Sequence, residues 1–304
     1  MHASFRQLRL FLALAETGSV SAAAKRAHVT QPTASMQLKE LSENIGEPLF
    51  EVISRKVHLT LAGERLAVTV RSMLGEWQSF EQEIAQMKGL TKGRLKVAAV
   101  STAKYFIPQM LGDFCKRYPD IEIAFEVLNR DGVVNRLENN MDDLYIMSMP
   151  PAHIDIEDEV FMSNPIVIIA AKNHPLLKKT NLELKDLKNE KFVMREQGSG
   201  TRMAVDAFFK KKHFSPTIRL ELGTNEAVRN SVAANLGISA LSLHSLGSAL
   251  NQDVKILNVQ NFPLMSSWHI VSLKGKKLSP IASNFKNHLI EYANRKHAKL
   301  TLKS

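Results

Sequence analysis

Between residues 66 and 87 an apolar residue returns at alternating steps of four and three: Leu66, Val70, Met73, Trp77, Phe80, Ile84 and Met87. An α-helix turns every 3.6 residues, so this spacing keeps the apolar atoms on one narrow line. A helix that only covers its own domain's core carries a wider stripe. The line therefore predicts a long helix that zips against a second copy of the chain. Thr60 is placed to cap its start.

Two shorter helices with little between them precede the zipper. "SFRQLRLFLALAETGS" opens with Ser4 and Gln7 at capping-box spacing, and Phe5, Leu8, Phe11, Leu12 and Ala15 share one face. Gly18 can close that helix in the left-handed region, and Ser19 caps a second helix that runs to about Ala27. Thr30 caps a third, in which Pro32 is tolerated because a first-turn N–H is unpaired anyway. Ala34, Leu38, Leu41 and Ile45 form its inner side. Its other side offers Gln31, Pro32, Thr33, Ser35, Met36 and Lys39. Glutamine pairs with adenine edges, and short hydroxyls reach bases or phosphates, so this is the surface of a major-groove recognition helix. An ordinary helical hairpin with a wet face has the same spacing. The next segment favours DNA: Arg55 and Lys56 lead a short strand around Val57–Leu59, a basic wing suited to phosphates. Dimers held by the zipper match DNA with two dyad-related half-sites.

From Gly93 short apolar strands alternate with helices, which argues for parallel sheets with ligands beyond the carboxyl ends of the strands. Three helix starts could hold an anion there. They are Ser101-Thr102, then "REQGSGTR" with Ser199, Gly200, Thr201 and Arg202, then "GTNEAV" with Asn225 and Glu226. Each alone reads as routine capping; together they make a candidate effector site. Ser101 to Lys104 fits S-x-x-K, and "GSGTRM" starts like a dinucleotide fingerprint, but neither has its companion motifs. The histidines show no metal-ligand spacing, so no metal and no cofactor is expected.

The formal charge of +10 suggests a polyanionic partner, yet residues 1–90 hold 10 Lys/Arg against 9 Asp/Glu, a net +1, and the other +9 lies in 91–304. Charge alone does not place a nucleic-acid site at the N-terminus. A single cysteine, Cys115, fits a reducing compartment, no signal-peptide pattern is present, and runs such as "PIVIIAA" are too short to span a bilayer. A cytoplasmic protein is expected.

The order of "TQPTASMQLKELSENIG", "LFEVISRKVHLTLAGERL" and a long helix resembles the LysR-type transcriptional regulators. The resemblance implies a winged helix-turn-helix domain (1–59), all-α apart from the wing, a linker and dimerisation helix (60–90), and an α/β effector domain (91–304). That last domain would be periplasmic-binding-protein-like, with subdomain I about 91–162 and 270–304 and subdomain II about 163–269. It also implies double-stranded DNA as partner, self-association to dimers and tetramers, and contact with RNA polymerase. One departure is Glu51-Val52, where relatives commonly carry Glu-Arg. "DDLYIMSMPP", "MREQGSGTR" and "WHIVSLKGKKLSP" are similar to the CbbR-type regulators of Calvin-cycle and RuBisCO operons. That subgroup often has Gly-Arg where this chain has Ser148-Met149, which puts Ser148 in the expected cleft. The implied effector is a phosphorylated sugar, a nicotinamide nucleotide or a small carboxylate. The rival is a metabolite-binding protein or enzyme whose N-terminal helices only dimerise it.

Overall fold

The computed structural model describes residues 3–53, 56–87, 93–247, 250 and 252–301. Arg55 and the side chain of Met87 lie outside the described residues. The chain divides into two compact units, residues 1–84 with 139–141, and residues 85–138 with 142–304.

The first unit begins with α1 (Phe5–Thr17), α2 (Val20–Arg26) and α3 (Gln31–Ile45). Each start has a side-chain cap. Ser4 and Gln7 form a reciprocal box, Ser19 accepts from the Ala22 N–H, and Thr30 accepts from the Thr33 N–H. Gly18 and Gly46 close α1 and α3 with positive φ, where a side chain would be strained. A hairpin follows, β1 (Phe50–Ile53) against β2 (Lys56–Leu59), and then α4 (Leu61–Met87). Thr60 accepts from the Gly63 N–H and so caps α4.

The core of this unit corrects two expectations. Leu10, Ala13 and Leu14 are buried along with Leu8 and Phe11, because helices pack on more than one side of α1. Phe5 is exposed and meets the Trp77 ring edge-on at 5.8 Å. The zipper line also splits. Val70 is 0% exposed and belongs to this unit's own core, with Leu66 packed against it. Met73, Trp77 and Phe80 are 44%, 45% and 51% exposed, and Ile84 is half-buried. The line therefore begins in the core of this unit and runs out onto an exposed part of α4.

The second unit is built on a mixed sheet with strand order β10-β6-β11-β5-β3-β4, with β9 also on β6. β3 (Gly93–Val100) lies parallel to β4 (Ile121–Leu128) and β5 (Leu144–Met147). β6 (Ile156–Ala171) and β11 (Leu264–Leu273) run antiparallel to each other and are long. They carry the sheet from one hydrophobic core to another. The first core gathers β3, β5, α5 (Ile107–Arg117) and α9 (Pro280–Thr301) around Phe114, Trp268 and Phe285. The second gathers Ile166, Ile168, Phe192, Phe209 and Ile238. It also holds β7 (Lys191–Arg195), parallel to β8 (Thr217–Leu222), with α7 (Gly200–Lys211). α8 (Asn225–Ala233), β9 (Ser239–Ser242) and β10 (Val254–Ile256) complete that half. Trp268 of β11 belongs to the first core. Between β3 and α5 lies a 3-10 turn, Ser101–Tyr105. Among the described residues no helix is long and apolar enough to cross a membrane, and no cluster of metal-ligating side chains is present.

Candidate DNA-binding and effector sites

α3 turns Ala34, Leu38 and Leu41 into the core, which leaves its other side outside. Gln31, Pro32, Ser35, Met36 and Lys39 are exposed, and Thr33 is half-buried. The Ser21 hydroxyl donates to the Gln31 carbonyl at 2.9 Å. This steadies the Gln31 side chain while its amide N–H groups make no intramolecular bond among the described residues. Thr33 is held by Thr30 at 2.8 Å, and Lys39 reaches Glu43 at 3.7 Å, a solvent-screened pair that a phosphate can displace. The β1–β2 hairpin is a wing with exposed Lys56. Val52 and Ile53 are exposed beside it, an apolar edge where the resemblance led us to expect an arginine.

The candidate effector residues lie at the carboxyl ends of parallel strands, where open α/β sheets bind ligands. Ser101 and Thr102 follow β3, Ser148 follows β5, and Arg195 ends β7. Gly200 opens α7 against the β5 end: a Cβ there would sit 2.6 Å from the Ser148 hydroxyl, so a larger residue would have to push that hydroxyl aside. Ser148, Ser199 and Thr201 are each more than nine-tenths buried. Among the described residues their hydroxyls make no intramolecular hydrogen bond and none is sealed from solvent. Ser199 does not even cap its own helix. Three idle hydroxyls thus surround the positive end of a twelve-residue helix.

Other candidates are already occupied. Asn225 is second to the cap, since Thr224 accepts from the Ala227 N–H. Its amide is buried, accepts from Arg195 Nη1 at 2.5 Å and donates to the Thr102 hydroxyl at 3.0 Å. It ties the two cores together and is not a free ligand group. Glu226 pairs with Lys104 at 2.9 Å. Partial burial alone would raise the Glu226 carboxyl, but hydrogen bonds from Tyr105 and then Lys104 hold it down at about 2. The pair joins the turn after β3 to α8 and commits the Lys104 ammonium to a carboxylate.

Arg202 is already paired with two carboxylates of the chain itself. It gives Nε to Asp206 at 2.8 Å and Nη1 to Glu221 at 2.9 Å and to the Arg195 carbonyl at 2.7 Å. Burial works against its charge, yet the two carboxylates raise its pKa above the usual arginine value, and Arg202 in turn lowers Glu221. Arg195, which the sequence reading passed over, is 3% exposed and grips Glu196 through Nε and Nη2, both at 2.7 Å. It also reaches Ser101 at 3.5 Å. The adjacent carboxylate in "REQ" was the signal that this arginine would be neutralised.

Comparison with known proteins shows the family of the chain. Residues 5–64 match the family described as bacterial regulatory helix-turn-helix protein, lysR family, and residues 88–294 match the LysR substrate binding domain. The chain is 41% identical over 292 residues to the HTH-type transcriptional activator CmpR of Synechocystis sp., covering 96% of each chain. It is 42% identical over 289 residues to the RuBisCO operon transcriptional regulator of Acidithiobacillus ferrooxidans, covering 95% of this chain and 94% of that one. Among solved structures, the Synechocystis CcmR regulatory domain in complex with 2-PG is 43% identical with a TM-score of 0.64, spanning 66% of this chain and 98% of that one. A full-length OxyR from Pseudomonas aeruginosa, 21% identical, has the same fold over 95% of this chain and 98% of its own, TM-score 0.76. With a helix-turn-helix, a wing and a two-core α/β domain matched along nearly its whole length, the chain belongs to the LysR family of DNA-binding transcriptional regulators.

Proposed function

We propose that this regulator senses a small phosphorylated acid of the 2-phosphoglycolate class and controls carbon-fixation genes. The observation that carries the ligand reading is the group of buried, unpartnered hydroxyls of Ser148, Ser199 and Thr201 at the start of α7. Buried hydroxyls ordinarily find partners. Here a ligand's anionic oxygens would supply them, with help from the helix N–H groups. The 2-PG complex of CcmR and the RuBisCO operon regulators support the class of ligand and of target.

On DNA, Gln31, Pro32, Thr33, Ser35, Met36 and Lys39 enter the major groove, and Arg55 and Lys56 of the wing hold phosphate. Two chains pair through the exposed part of α4, Met73, Trp77 and Phe80, continuing to Ile84 and Met87. Pairs of dimers form the tetramer, and RNA polymerase is the further partner through which a promoter responds. The work is done on DNA, in the cytoplasm. A ligand alters this only by binding two assemblies unequally. The test is a gel shift of the protein's own promoter with and without 2-phosphoglycolate, sugar phosphates and nicotinamide nucleotides. A shift in apparent affinity or mobility with the phosphorylated acid is expected. No promoter binding under any condition would refute the reading.

A further inference from the structure

We propose that Arg130 supplies the positive charge that recognises the effector's anionic group, an inference that rests on the cleft reading above. A phosphorylated acid carries one to three negative charges, and hydroxyls with helix N–H groups alone would compensate them only in part. The cleft must therefore offer an uncommitted cation. Arg195 is committed to Glu196, Arg202 to Asp206 and Glu221, and Lys104 to Glu226.

Arg130 is different. It opens α6 (Arg130–Glu138), directly after the carboxyl end of β4, which neighbours β3 in the sheet. It is half-buried, and its Nε donates to the Met149 carbonyl at 3.1 Å. Among the described residues it has no carboxylate within ion-pair distance. Met149 follows Ser148, and its side chain lies 3.6 Å from the point where a Gly200 Cβ would be. The guanidinium is thus anchored by one nitrogen beside the idle hydroxyls and the start of α7. Its terminal nitrogens retain the fork that matches a phosphate or carboxylate edge. Asp131, the next residue, lies 3.6 Å from the corresponding Cβ position of Gly198, in the turn before α7. That carboxylate would repel an anion, so the site depends on Arg130 for its net sign.

The test uses the full chain and titration calorimetry with 2-phosphoglycolate and, separately, inorganic phosphate. Arg130→Gln should weaken 2-phosphoglycolate binding tenfold or more, and Arg130→Lys should recover most of it, with the ligand-free melting temperature unchanged in both. Wild-type affinity in Arg130→Gln would overturn the assignment and leave the cleft reading standing. Equal weakness of both variants would also overturn it, since charge would then not be what matters. If the wild-type chain binds neither probe, the cleft reading falls and takes this assignment with it.

Discussion

Val70→Ala and Trp77→Ala should separate folding from association along a single helix. Val70 is 0% exposed, in the core of its own unit. Shortening it removes two buried methyl groups, about 0.8 kcal/mol each by transfer. The void left behind brings the cost to about 2–3 kcal/mol. Trp77 is 45% exposed, and its ring contacts are Phe5 and Phe80, each at 5.8 Å. Within one chain those aromatic pairs contribute about 0.5–1.5 kcal/mol each. In a dimer Trp77 occurs twice, and a central aromatic anchor contributes about 2 kcal/mol per copy. Loss of both copies, about 4 kcal/mol, weakens dimerisation roughly a thousandfold. Urea unfolding monitored by circular dichroism gives the first quantity and sedimentation equilibrium the second. Val70→Ala should lower the unfolding midpoint and leave dimerisation nearly unchanged, with the reverse ranking for Trp77→Ala. The reasoning is refuted if Val70→Ala dissociates the dimer without loss of stability, or if Trp77→Ala leaves dimerisation intact.

Five further substitutions have outcomes set by local geometry. A Cβ at Gly63 would lie 1.9 Å from the Leu49 carbonyl oxygen, so Gly63→Ala should lose about 1–3 kcal/mol by overpacking. Gly75, with nothing within 4 Å, should gain up to about 1 kcal/mol as Ala, and thermal melts compare the two. Burial lowers the His288 pKa, against opposing help from the Met110 carbonyl at 3.0 Å, with Asp113, Arg117 and Arg295 as its charged neighbours. The unfolded chain then takes up the proton first as pH drops below about 6.5. Stability should decline from that point until the folded His288 also protonates, and His288→Gln, measured by melting at successive pH values, should flatten the decline. Gln31→Ala should cost about 1–3 kcal/mol at the specific operator only, whereas Lys56→Ala should weaken all sequences and lower the salt slope by about one, both read by fluorescence anisotropy.

The local signals were legible. Ser4, Ser19, Thr30 and Thr60 each marked a helix start, because a cap needs only neighbours within three residues. The inner face of α3 followed from its period. The first strand of the wing was not legible, since "FEVI" is four residues with no alternation and finds its partner only across a turn. Phe5 lies outside the buried side of α1, because α1 is covered on several sides and its stripe is broad. The four-three spacing did not reveal that Val70 turns inward, because a repeat does not specify what each part packs against. In the cleft, the hydroxyl-bearing helix starts could be found one by one. The charges could not be assigned that way. Arg202 was an apparent anion ligand, although Asp206 four residues later hinted at a helix pair, and Glu221 reaches it from a separate strand. Arg130 and α7 are brought together only by the sheet, so nothing adjacent in sequence marked that arginine.

Hydroxyl-radical footprinting of the protein's own promoter, at saturating protein and with or without 2-phosphoglycolate, tests the account most directly. Protection should fall on successive major grooves related by a dyad, and the ligand should change the length or spacing of the protected tract. A footprint that stays identical while calorimetry shows the cleft filled would contradict the claim that this site governs how α3 meets DNA.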